Sequence, residues 1–126
     1  EFVVRFEKDR EGYPAIALTT DSSILSAGGN DYGFDAVYER QVQALGFEGD
    51  AFIAISTSGN SENIIRAARM AANKKMKVIG MTGLDGGKLK PFCDILLCVP
   101  HERTARIQEM HEHTIHILCQ IVEQNI

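Results

Sequence analysis

The chain lacks the features that would assign it to a membrane, a nucleic acid or a nucleotide. No apolar run approaches the roughly 20 residues that a bilayer-spanning helix needs, and no signal-peptide pattern is visible. Basic residues are in the minority, 13 Lys and Arg against 17 Asp and Glu, for a net charge of −4. A nucleic-acid-binding domain wants a basic face instead. Cysteine is scarce and odd in number: Cys93, Cys98 and Cys119 stand in apolar surroundings, with no CxxC or zinc-ribbon spacing. They read as reduced, buried, inert thiols of a cytoplasmic protein. No GxxxxGK[ST] loop is present and no GxGxxG follows a strand, which removes the Walker and Rossmann readings. Gly83 to Lys88 has the wrong spacing for a Walker loop and reads as a turn and a helix start. What is present, 126 residues with 44% hydrophobic and 24% charged content, suits a single soluble domain with a sizeable core.

Hydrophobic patterning orders the chain. Phe2 to Lys8 reads as the end of a helix. Tyr13 to Leu18 is a short strand candidate. The polar turn Thr19 to Ser22 is placed to cap a helix over Ile24 to Ala27. Gly28 to Gly33 reads as a loop, and Phe34 to Leu45 has helical spacing. Strands are expected at Ala51 to Ile55, Met76 to Thr82 and Asp94 to Val99, the last stopped by Pro100. Helices are expected at Glu62 to Lys74 and Arg106 to Gln124. Alternating strands and helices imply right-handed crossovers and a parallel sheet covered on both faces. Ligands of such sheets lie beyond the carboxyl ends of the strands. That expectation places Thr19 to Ser22, Ser56 to Ser61 and Thr82 to Gly87 along one rim. With four strands and an opening helix that has no partner before it, the chain reads as the later part of a domain whose first strand is absent.

The segment Ile55-Ser56-Thr57-Ser58-Gly59-Asn60-Ser61 carries the strongest chemical signal. It follows a buried strand and opens a helix, with Ser61 as N-cap and Glu62 in the first turn. Free N–H groups and the helix dipole would face an anion there, and small residues permit close approach. The segment points to a phosphorylated small molecule; an ordinary capped helix start is the plainer alternative. The last helix is unusually polar, carrying Gln108, Glu109, His111, Glu112, His113 and His116. His113 lies off the apolar stripe and should be solvated, whereas His111 and Ile115 share a face. His116, beside Ile115, Ile117 and Leu118, should be at least partly buried. It is either a satisfied core histidine or a general acid–base group. Read alone, Glu1 is a solvated carboxylate and Asn30-Asp31 a turn pair.

Taken together, PAIAL, GNDYGF, RQVQALGFEGD, ISTSGNS, KVIGMTGLDGGKL, ARIQEMH and HIL stand in an order that resembles the phosphoheptose isomerases of the sugar-isomerase (SIS) domain class. The resemblance covers nearly the whole chain. It implies a three-layer αβα sandwich with a parallel, flavodoxin-like sheet, here a single SIS domain over residues 1–126 without the N-terminal helices, first strand and Asn-Gly-Gly-Ser-type loop. It implies conversion of sedoheptulose 7-phosphate to D-glycero-D-manno-heptopyranose 7-phosphate, a step toward lipopolysaccharide-core heptose. On this resemblance Glu1 and His116 are the catalytic pair. Ser56, Thr57, Ser58 and Ser61 hold the phosphate, and Asn30, Asp31 and Gln108 contact substrate. One zinc per site would be held by Glu1, Gln108 and His116, together with a histidine one helical turn before Glu1. Where some members carry Asp before the Arg of this motif, Ala105 stands here.

The family is usually a homotetramer. Gln108 and His116 lie about 12 Å apart along one helix, and Gln108 leans away from His116. An active site shared between protomers follows as an expectation, with no nucleic-acid or membrane partner. Two alternatives remain within the class. One is a non-catalytic binding protein that associates with a DNA-replication initiator; this chain keeps Ser58 and His116, where that relative departs. The other is a sugar-phosphate-sensing regulatory domain, which needs the phosphate turn but neither Glu1 nor His116.

Overall fold

Three short apolar segments pair in parallel because each is followed by a helical return that brings the chain back to the same end. In the computed structural model, which describes residues 1–126, these are β1 (Ala51–Ile55), β2 (Lys77–Gly83) and β3 (Ile95–Val99). The sheet order is β1-β2-β3. Ile53 is aligned with Ile79, and Ile79 with Ile95. Four α-helices accompany the sheet: α1 (Ser22–Tyr32), α2 (Val37–Leu45), α3 (Glu62–Asn73) and α4 (Thr104–Asn125). Short 3-10 segments stand at Phe34–Ala36 and Gly87–Phe92.

Side chains alternate across a strand, so Phe52, Ala54 and Val78 face one side and Ile53, Ile55, Ile79 and Met81 the other. The first side meets α3, whose Ala67, Ala68 and Ala71 are fully buried beside Ile65. Alanines let the helix lie close to the sheet, and they favour helix intrinsically. The 3-10 segment closes this core with fully buried Leu89, and α2 adds Val42. On the other side α4 crosses the end of β2: a Cβ on Gly83 would press against the Ile107 side chain. The α/β sandwich is therefore the predicted one. No helix is long and apolar enough to cross a membrane.

Several expected elements differ. Phe2 to Lys8 is not helical. Its Phe6, Glu7 and Lys8 N–H groups all donate to the carboxylate of Glu123, a geometry that replaces helical bonds. Tyr13 to Leu18 is not a strand, and the sheet has three strands rather than four. A strand exists only through a ladder partner, and no strand lies beside this segment. It is tied down instead by the buried Gln41, whose Nε2 donates to the Leu18 carbonyl at 2.9 Å. Thr19 to Ser22 therefore follows no strand, and its expected place on the sheet rim is not realised. The Asp21 carboxylate does cap α1, accepting from the Ile24 N–H at 3.0 Å. The Gly28-Gly29 pair does not break α1, which runs on through Asn30 and Asp31 to Tyr32. The stop is Gly33, at φ +80°, a conformation favouring glycine.

Candidate functional site

The turn after β1 is built from small residues because two backbones meet there. A Cβ on Gly59, which has φ +65°, would overlap the Gly86 carbonyl. The Leu89 N–H donates to the Gly59 carbonyl at 2.9 Å, and the Lys88 N–H to Asn60 Oδ1 at 3.1 Å. Gly83 donates to the Thr57 carbonyl at 2.8 Å. The loops after β1 and β2 are thus interlocked, as the expected shared rim requires. Asn60 and Gly86, which provide the lock, were not singled out from sequence; the recurrence of Gly and Asn in both turns is the signal that could have found them.

Ser56 is buried, and its Oγ donates to Ser61 Oγ at 3.1 Å. Ser61 occupies the N-cap position of α3, but its side chain caps no helical N–H. Ser58 is exposed; its Oγ accepts from the Asn60 N–H at 3.1 Å and keeps its own proton to donate. The N–H groups of Thr57, Ser58 and Ser61 have no acceptor within the chain. The first-turn amides of α3 add further donors. Free N–H groups, hydroxyls and a helix N-terminus gathered at the carboxyl end of a parallel strand have the donor chemistry of an anion cradle.

The remaining candidates lie elsewhere. Asn30 and Asp31 occupy the last turn of α1, both exposed, and no hydrogen bond or ion pair joins them to the serine turn. Gln108 and His116 are both on α4 and both exposed. The expected partial burial of His116 is corrected: the residue is exposed, and its ring packs on Phe6 with centroids 5.8 Å apart. Glu1 is exposed, and its carbonyl accepts from Arg10 Nη2 at 3.1 Å. Burial pushes the Cys119 thiol up. Gln108 lies about 12 Å of helix rise from His116. One chain therefore does not gather Glu1, Gln108 and His116 at a point. Nor do three His, Cys, Asp or Glu side chains cluster anywhere as a metal site. Within a single chain these donors do not fit a bound zinc.

Two buried groups on α4 were underrated by sequence reasoning. Glu123 accepts from three consecutive N–H groups and from Arg10 Nε at 3.0 Å. Burial would raise its pKa, but the bonds from Lys8, Glu7, Phe6 and Arg10 together hold it below the ordinary value. His111 is 3% exposed, and its Nε2 lies 3.1 Å from the Thr82 carbonyl.

Comparison with known proteins identifies the family. The SIS-domain profile matches residues 1–83. The phosphoheptose isomerase of Methylibium petroleiphilum is 56% identical over 98% of this chain and 63% of its own length. That of a Roseiflexus species is 54% identical over all of this chain and 64% of its own length. Among solved structures, a phosphoheptose isomerase from Francisella tularensis superposes with a TM-score of 0.91 at 43% identity, covering 98% of this chain and 69% of that one. One from Neisseria gonorrhoeae gives 0.88 at 52% identity, covering 90% and 63%. The chain thus spans just under two thirds of the length of the first two relatives. With a profile match over more than half its length, it belongs to the SIS-domain family, grouped with the phosphoheptose isomerases.

Proposed function

We propose that residues 1–126 form one SIS domain of an aldose–ketose isomerase acting on sedoheptulose 7-phosphate. The observation that carries this reading is the interlocked serine turn, with unpaired N–H groups of Thr57, Ser58 and Ser61 at the N-terminus of α3. The substrate phosphate would sit there, held by those amides and by the hydroxyls of Thr57, Ser58 and Ser61, while Ser56 fixes Ser61. Asn30, Asp31 and Gln108 would contact the sugar.

Isomerisation then needs one base and one acid. The Glu1 carboxylate takes the C1 proton of the ketose while protonated His116 gives a proton to the C2 oxygen, producing the enediol. The carboxylic acid returns its proton to C2, neutral His116 removes the O1 proton, and the C1 carbonyl forms. Both side chains are exposed in one chain, so a second protomer would complete and enclose the site. Exposed Ile53, Ile55, Ile95 and Leu97 on the α4 side of the sheet support assembly with other copies, in line with a homotetramer. One zinc per site, with Glu1, Gln108 and His116 drawn from more than one protomer, belongs to the same proposal; no step above depends on it.

His116→Ala separates the readings. The isomerase loses about 10²- to 10⁴-fold in turnover, the range of a lost acid–base group, while phosphate affinity persists. Unchanged turnover would overturn the role of His116. A wild-type protein that binds sugar phosphate without converting it would favour the sensing domain, and one that does neither would favour the initiator-associating binding protein.

A further inference from the structure

One buried side chain joins α4 to the phosphate rim and takes no part in the proton transfers. His111 Nε2 faces the Thr82 carbonyl oxygen at 3.1 Å. That oxygen only accepts, so Nε2 carries a proton and donates it. Nδ1 is buried without a hydrogen-bond partner, and no other buried side-chain nitrogen or oxygen is left so. Orphaned buried polar atoms are unfavourable. An aliphatic residue would fill this space without one, so packing alone does not account for an imidazole here.

What the imidazole supplies is an N–H donor at a specific place. Thr82 is followed by Gly83, whose N–H bonds the Thr57 carbonyl in the serine turn. A Cβ on Gly83 would crowd both that carbonyl and Ile107, one turn before His111 on α4. Helix, strand end and phosphate turn are therefore in direct succession: His111 to Thr82, Gly83, then Thr57. On α4, Gln108 stands one turn before His111 and His116 just over one turn after it.

We propose that His111 is a positioning residue. Its Nε2–H bond to Thr82 fixes the height of α4 against the sheet rim, and so sets where Gln108 and His116 each stand toward the shared substrate sites. This rests on the isomerase reading. Small displacements of a catalytic group carry large rate penalties, on the order of 10²-fold per ångström, so the bond should act on kcat rather than on phosphate binding.

The test compares His111→Leu, which removes the donor, with His111→Gln, whose amide N–H restores one at similar reach. Turnover of sedoheptulose 7-phosphate, affinity for inorganic phosphate and amide hydrogen exchange along α4 are measured on the full chain. His111→Leu is expected to lower kcat about 10- to 100-fold, with phosphate affinity retained and exchange faster over 107–116. His111→Gln is expected to recover most of the kcat and the protection. Wild-type kcat in His111→Leu, or no recovery in His111→Gln, overturns the proposal. If His111→Leu does not fold, His111→Gln decides alone: near-wild-type kcat and protection support the proposal, and their loss overturns it. A wild-type protein without turnover defeats the isomerase reading only; the anchor is then judged by exchange, supported by loosening in His111→Leu and overturned by unchanged protection.

Discussion

Single residues in this chain act mostly by what they do to a backbone. Glu123 gathers three consecutive N–H groups and the Arg10 side chain, and its pKa is held below the ordinary 4.5. A carboxylate depressed in the folded state contributes stability above its unfolded pKa and loses it as pH falls through the folded value. The urea midpoint of the wild type should therefore fall from about pH 5 downward. Glu123→Gln should be less stable at neutral pH and show a shallower decline; parallel pH profiles for the two proteins would contradict this role. Gly59 works by absence. At φ +65° and against the Gly86 carbonyl, an alanine has neither the conformation nor the space. Gly59→Ala is expected to cost more than ~1 kcal/mol in urea unfolding and to weaken phosphate binding by parting the two turns. Wild-type phosphate affinity in that variant would refute the interlock.

At the scale of elements, α3 shows how sequence and packing agree. Its alanines favour helix and permit close approach to β1 and β2. Its end is closed by Lys75 at φ +60°, with the Met76 N–H bonded to the Ala71 carbonyl. A left-handed lysine is strained where glycine is not. Lys75→Gly should raise stability by up to ~1 kcal/mol, read from thermal or urea melts, and a loss would show that the side chain matters more than the strain. Elements of this kind were legible in advance because periodicity and caps are local: β1 to β3, α2, α3 and α4 stand where the patterns put them. Tyr13 to Leu18 was misread because a strand is a relation between segments, and its apolar pattern says nothing of a partner. Gly28-Gly29 was misread because glycine tolerates a helix whose next residues carry it on, as Asn30 and Asp31 do. The serine turn was legible as a candidate site, being a local strand–turn–helix. The buried state of His111, and the exposure of His116, depend on how α4 meets the sheet, which no window along the chain contains.

For the whole molecule, the serine turn lies within one chain, whereas Gln108 and His116 stand about 12 Å apart along α4. Gln108 stands in the first turns of α4, and His116 packs on Phe6. Ile53, Ile55 and Ile95 are exposed on the α4 side of the sheet. Assembly would bring a second set of side chains to each rim, and dilution below the assembly range should abolish turnover before it unfolds the domain. The most direct measurement is conversion of sedoheptulose 7-phosphate by the assembled protein, followed after chelation and again with added zinc. Accumulation of the aldoheptose 7-phosphate in at least one condition is the expected result, and loss on chelation with recovery in zinc would add the metal to the site. No conversion in either condition would contradict the isomerase assignment.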